Sequence, residues 1–259
     1  MRPLRALPLL PPLVALALLL ALWELAARAL HIPAYLLPPP SAVALAGWAD
    51  AGPLLSAAAF TARAALTGFA LSAVLGVLVA VALASSRILE RALYPYTVFL
   101  QTVPIIAVAP LLVLWFGAGF RAIAVSALIV SVFPVIANTL SGLRSVDPAL
   151  RDLFRLYGAT RAATLLKLEL PSAIPSIVTG LRVAAGLAVI GTIVGEFVAG
   201  YAEDAAGLGI TVMAANRQLR TDLLFAAVIA ASLLGLAIFG VVNLAGHLLL
   251  RRWHPSEKG

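Results

Sequence analysis

The chain has 259 residues, 63% of them hydrophobic and only 11% charged, with no cysteine and a formal net charge of +7. Soluble domains carry roughly 25% charged residues, so this composition excludes a soluble globular protein and predicts an all-α polytopic membrane protein. The missing cysteine excludes disulfides and thiolate metal sites, and the positive balance is what cytoplasmic loops collect rather than a nucleic-acid footprint.

A span needs ~20 apolar residues, because a ~30 Å hydrocarbon core is crossed at ~1.5 Å per residue. Six stretches qualify. The first is Leu7–Leu30, preceded by Arg2 and Arg5. Its uncharged run is long enough to span, so a retained helix is expected rather than a cleaved signal. A Pro-rich, irregular segment, His31–Pro53, follows; Pro38-Pro39-Pro40 cannot be helix interior. The second span is Ser56–Ser85, closed by a basic turn, Arg87–Arg91. The third, Leu93–Phe116, is uncharged but carries Pro95, Pro104 and Pro110, and Gly117-Ala-Gly119 ends it. The fourth is Ala122–Leu140, with Pro134 inside it. The fifth is Ile177–Val198, followed by a polar loop over Gly200–Asp222, and the sixth is Leu223–Leu250.

With the N-terminus inside, 13 of the 18 Lys and Arg fall on the cytoplasmic side: Arg2, Arg5, Arg87, Arg91, Arg144, Arg151, Arg155, Arg161, Lys167, Arg182, Arg251, Arg252 and Lys258. Arg28, Arg63, Arg121, Arg217 and Arg220 remain outside. The bias predicts both termini in the cytoplasm. It also puts the one long polar segment, Asp147–Pro175, on that side.

That segment starts as a helix should. Asp147 is an N-cap acceptor and Pro148 suits the first helical position. Leu150, Leu153, Phe154 and Tyr157 recur at helical spacing, with Arg151, Asp152 and Arg155 off that face. Gly158 suits a left-handed stop. Thr160 caps a second helix through about Leu170, which Pro171 and Pro175 are expected to end. Two short helices around a Gly-Ala-Thr elbow are predicted. On the residues alone they form either an amphipathic connector at the interface or a docking element.

The pattern Leu-x-x-Tyr-Gly-Ala through Gly158, then Leu170-Pro171, then Ala-Ile-Pro-Ser-Ile-Val-Thr-Gly-Leu-Arg, resembles the EAA loop of ABC importer permeases. More narrowly, the chain is similar to the inner-membrane permeases for nitrate, sulfonate, taurine and pyrimidine-type substrates. Pro110–Gly119 resembles that family's third helix. Phe133-Pro134, Asn138-Thr139 and Gly142 resemble its fourth, and Gly68-Phe69 with Gly76 its second. The name-giving Glu-Ala-Ala is Asp152-Leu153-Phe154 here, so the acid is kept in kind and two bulkier residues replace the alanines.

The resemblance covers roughly residues 56–250. It implies an ABC importer (type I) permease-like fold in one transmembrane domain, with a first helix and Pro-rich external segment (1–55), a core (56–250) with a cytoplasmic loop (141–175), and a cytoplasmic tail (251–259). It implies a coupling helix before Gly158 that docks on a cytoplasmic ATP-binding subunit. The residues of that loop are Asp152, Arg155, Leu156, Tyr157, Gly158, Ala159, Thr160 and Pro171. Further implied are an extracytoplasmic solute-binding protein, a second permease copy, surrounding lipid, and a place in a bacterial inner membrane. The chain has no P-loop, so ATP and Mg belong to the partner ATPase and no cofactor is expected on this chain.

Pathway candidates are Gln101 and Thr102 on the third span, Asn138 and Thr139 on the fourth, and Glu196 near the outer end of the fifth. Intramembrane acids are costly and often functional, and Gly191 and Gly195 beside Glu196 permit close helix approach. A pathway role and an interfacial one both fit Glu196. Arg182 and Arg63 suit snorkelling. The prolines of the third span either line a pathway with freed carbonyls or merely kink a packing helix. His31, His247 and His254 are too scattered for a metal site, and no hydrolase motif provides a catalytic residue. The alternative reading is an ion-coupled carrier working without an ATPase, for which Glu196 and Glu24 are the available carboxylates.

Overall fold

The computed structural model describes residues 10–200 and 206–250, and these are helical apart from turns and short connections. In chain order the elements are α1 (Leu10–Ala29), α2 (Pro40–Ala49), α3 (Ala51–Ser85), α4 (Arg87–Thr102), α5 (Ile105–Phe116), α6 (Phe120–Arg144), α7 (Pro148–Leu156) and α8 (Arg161–Thr164). A π-helical turn, Leu165–Glu169, leads into α9 (Leu170–Ala199), and α10 (Leu208–Arg217) and α11 (Thr221–Leu250) complete the chain. Five helical stretches are long and apolar enough to cross a membrane: α1, α3, α6, α8 through α9, and α11. The bent pair α4 and α5, counted as one span, makes a sixth.

The centre is α6, packed between α3 and α9. The contact surfaces are made of small residues. Ala64, Ala65, Ala127, Ala184, Ala185 and Ala188 are buried. A Cβ on Gly68 of α3 would fall 2.4 Å from Ala127 Cβ, and one on Gly191 of α9 would fall 2.9 Å from Ala127 Cα. Backbones thus approach on both sides of the same alanine. The Ser126 hydroxyl donates to the Gly191 carbonyl at 2.8 Å. Lipid tails are as apolar as leucine, so this packing and interhelical hydrogen bonding hold the helices together.

Several expectations need correction. The segment between the first two spans contains a regular helix: Pro40 takes the first position of α2, where a missing N–H costs nothing. The second span begins at Ala51, not Ser56. Arg87–Arg91 is no separate turn but the start of α4, whose Leu89 N–H is capped by the Ser86 hydroxyl. The third span is not one helix. It breaks at Val103 and Pro104 with a bend of 100°, because proline brings no N–H and holds Val103 extended.

Pro171 and Pro175 do not end the helix after Thr160. The π turn passes straight into α9, with the Leu170 N–H donating to the Leu165 carbonyl. Pro171 then lies in the first turn of α9, where its missing donor is tolerated. The Gly200–Asp222 loop holds α10. The basic N-terminal residues and the 251–259 tail lie outside the described residues.

α1 lies on the periphery and is tied to α2. Ser41 donates its backbone N–H (3.0 Å) and its hydroxyl (2.8 Å) to the Glu24 carboxylate, which Arg28 also contacts at 2.6 Å. Glu24 is therefore engaged in capping α2. Arg220 pairs with Asp50 at 2.6 Å, joining the start of α11 to the start of α3.

The seam at Ala127 predicts a matched pair of variants. Gly191→Val must separate α6 from α9 and should destabilise the protein by about 1–3 kcal/mol. Gly186→Ala, where a Cβ meets nothing within 4 Å, should leave the melting temperature in detergent unchanged. Equal melting of both variants would contradict the seam.

Candidate functional site

Three constellations are built on the α3–α6–α9 core. The first is the polar segment. The Ala149 N–H donates to Asp147 Oδ1 at 2.9 Å, the cap expected there. At the other end the Ala159 N–H reaches the Phe154 carbonyl and the Gly158 N–H reaches the Arg155 carbonyl, both at 2.9 Å. This is a Schellman closure around Gly158, whose φ is +67°. Thr160 caps α8 by accepting the Ala163 N–H at 3.2 Å.

The expected single apolar face of α7 is divided. Phe154 is half-buried against the body of the protein. Leu156 and Tyr157 are 85% and 84% exposed, and Leu153 is exposed beside them. Asp152 and Arg155 pair at 3.2 Å on the outer surface, an exposed i,i+3 contact that adds only a few tenths of a kcal/mol.

What holds α7 to the membrane part is Glu169, a residue the sequence did not single out. Its carboxylate is buried in the π turn. Arg161 donates to it at 2.7 Å, and Arg151 Nε lies 3.3 Å from the same oxygen. Arg161 also donates to the Ala84 carbonyl at the end of α3, and Arg151 to the Leu143 carbonyl at the end of α6. One carboxylate thereby links α7, α8, α9, α3 and α6. Arg144 pairs with Glu90 of α4 alongside. The signal available in the sequence was that Glu169 is the lone acid between Lys167 and Pro171.

The second constellation is a cleft of about 530 Å³ between the break of α4 and α5, the middle of α6 and the middle of α9. Gln101 and Asn138 both line it, together with Phe133 and Pro134. Asn138 donates its amide to the Pro134 carbonyl at 2.8 Å. Thr102 does not join them. Its hydroxyl bonds back to the Phe99 carbonyl at 2.8 Å, closing the end of α4. Thr139 faces the other way and is fully buried.

Glu196 is also apart from the cleft, in the third constellation. It is 1% exposed. Thr61 of α3 donates its hydroxyl to one carboxylate oxygen at 2.7 Å, and the Gly209 N–H donates to the other at 2.6 Å. The Leu208 N–H in turn donates to the Thr61 hydroxyl at 2.9 Å. A Cβ on Gly207 would sit 2.1 Å from the carboxylate, so glycine is needed for α10 to start here. Glu196 holds a corner between α3, α9 and α10. Arg63, two residues after Thr61 on α3, places its guanidinium over the Phe120 ring at 5.8 Å.

The arrangement holds no nucleophile–base pair and, among the described residues, no cluster of metal ligands. What it combines is a broken span beside a cleft, in the middle of a helical bundle, and an anchored surface helix at one end of it. Residues 72–255 match the family described as binding-protein-dependent transport system inner membrane component. The chain belongs to this family. It is 37% identical over 221 residues to a probable ABC transporter permease protein of Haemophilus influenzae, covering 85% of this chain and 89% of the relative. It is 36% identical over 250 residues to the formylaminopyrimidine transport permease of Halalkalibacterium halodurans, covering 96% and 97%.

Among solved structures, an amino acid ABC transporter with histidines superposes with a TM-score of 0.61 at 19% identity, covering 80% of this chain and 97% of that one. The chain is thus a multi-pass permease subunit of an ABC importer, with five continuous apolar spans and the bent pair α4–α5.

The Glu196 corner generates a stability prediction. Glu196→Ala strands the Thr61 hydroxyl and the Gly209 N–H and should cost on the order of 2–4 kcal/mol. Glu196→Gln keeps the volume and one acceptor, and should cost distinctly less. Thermal unfolding in detergent measures both; a wild-type melting temperature for the alanine variant would refute the structural role.

Proposed function

We propose that this permease is driven by a separate ATPase through the segment between α6 and α9, and passes its solute by alternating access. The observation that carries this reading is α7. It is a rigid, capped helix with an exposed apolar end, anchored to three spans through Glu169. An element that receives a stroke needs those two properties together: a face for the partner and a stiff connection to what must move.

In this reading Leu156 and Tyr157 fill a groove of the ATP-binding subunit. Asp152, Arg155 and Thr160 set the register of the contact. Gly158 and Ala159 form the closed turn that keeps α7 fixed to α8, and Pro171 starts the span that is pushed. The ATPase supplies ATP and Mg. Both termini and α7 face the cytoplasm, in line with the inside-positive bias of the cations. Two copies of the chain form the channel, residues 1–259 act as one transmembrane domain, and an extracytoplasmic binding protein delivers the solute. Gln101 and Asn138 meet the solute in the cleft. Thr102, Thr139 and Glu196 shape the spans around it, Glu196 by holding α10 against α3. The solute belongs to the nitrate, sulfonate, taurine or pyrimidine-precursor group, and the formylaminopyrimidine relative supports the last of these.

Complexes with the cognate ATPase, reconstituted in proteoliposomes with the binding protein, test the reading. Gly158→Val forces a β-branched residue into the left-handed region and should reduce ATP-dependent uptake by about ten-fold or more while subunits still assemble. Tyr157→Ala removes an exposed anchor and should weaken assembly itself by about ten-fold. Uptake that survives Gly158→Val unchanged would rule out this coupling route. Uptake that needs a proton gradient and no ATP would identify an ion-coupled carrier instead.

A further inference from the structure

We infer that the cleft beside the broken span selects an uncharged, planar heteroaromatic solute with an amide-like hydrogen-bonding edge, and rejects nitrate and sulfonates. The inference rests on reading the chain as an importer permease with this cleft on its pathway.

The cleft lies at the centre of the spans. Its α6 wall runs from Ile129 to Asn138 within a helix of residues 120–144, and its α9 wall is Val183 and Leu187 within residues 170–199. At that depth an ion without a counter-charge carries its full desolvation cost. Among the described residues of one copy, the lining contains no Asp, Glu, Lys, Arg or His. Arg182 neighbours Val183 in sequence, yet its guanidinium packs against Gly246 of α11.

The backbone does not make up for the missing charge. Ala107 and Val108 donate to the Pro104 carbonyl, and the N–H groups of Ile105 and Ile106 have no backbone partner among the described residues. These donors form the positive end of α5, but the negative end of α4 meets them at the same break, and partial charges of about +0.5 and −0.5 offset one another.

The mostly apolar cleft nevertheless carries a few neutral hydrogen-bonding groups. Pro134 has no N–H, so the Val130 carbonyl loses its helical donor, and both residues are in the wall. Gln101 brings a complete carboxamide. Asn138 spends an N–H on Pro134 and keeps its carbonyl oxygen as an acceptor. Phe133 adds an aromatic surface. Donors and acceptors side by side, an aromatic wall and no charge match the edge and face of an aminopyrimidine-like ring. A volume of about 530 Å³ would be left largely unfilled by nitrate.

The test is equilibrium binding of labelled cytosine to the full-length permease–ATPase complex in nanodiscs, with ethanesulfonate, taurine and nitrate as competitors. The expected result is saturable cytosine binding that a hundred-fold excess of the anions does not displace. Asn138→Ala and Gln101→Ala should each weaken it by about five- to ten-fold at unchanged melting temperature. Saturable binding of labelled ethanesulfonate that cytosine cannot displace overturns the inference, and so does the absence of cytosine binding to the wild-type complex. Subunit assembly and ATP hydrolysis are scored on the same sample. A complex that assembles and hydrolyses ATP but prefers ethanesulfonate removes the cleft assignment alone; failure to assemble removes the importer reading as well.

Discussion

The close approach of α6 to α3 and α9 is the constraint on which the rest depends. In a bilayer, burial of apolar side chains does not by itself bring helices together. Contact must come from backbones near enough for dispersion and for interhelical hydrogen bonds. Gly68 and Gly191 meet α6 from two sides at the same alanine, and Ser126 reaches the Gly191 carbonyl. Once that seam is formed, α3, α6 and α9 behave as one body, and everything functional is attached to it.

The attachments are carried largely by two carboxylates on α9 and its π turn. Glu169 and Glu196 are 27 residues apart, roughly 40 Å along a helix. Each is buried, and each ties α3 to α9. Glu196 does so through Thr61. Glu169 does so through Arg161, which also reaches the Ala84 carbonyl. The two long helices are thus joined near both ends, and each joint also fixes a surface helix, α10 at one end and α7 at the other. In the proposed coupling, a force applied to α7 would be delivered to a braced pair and not to a single flexible span. Between the joints lies the break at Pro104. Val103 and Ile105 at that break line the cleft, where irregular backbone is tolerable at membrane depth.

The number of spans, the cap at Asp147, the turn at Gly158 and the cap at Thr160 were all legible in the sequence, because each depends on local composition or on residues within one helical turn. The same local rules misread the prolines. Pro171 was expected to end a helix, but a π turn ahead of it rearranges the donors so that the chain runs on into α9. Pro104 does end one, with Val103 held extended before it. Both residues carry the same local preference; the outcome depends on which neighbouring backbone groups find partners, and that is a tertiary matter. Among the pathway candidates, Gln101 and Asn138 both line the cleft, while Thr102 turns to its own helix, Thr139 is buried in the core and Glu196 turns to α3 and α10.

By itself the sequence determined that the chain is a polytopic helical membrane protein and where its long capped polar segment lies. These follow from hydropathy summed over about 20 residues and from short-range hydrogen bonding. Tertiary structure alone decided that Glu169 and Glu196 are braces and that the third span is folded against a cleft. It also decided which face of α7 is left exposed. Thr61 and Glu196 are 135 residues apart in the chain, and Ala84 and Arg161 are 77 apart. Only the packing of α6 between α3 and α9 brings such pairs within hydrogen-bonding distance.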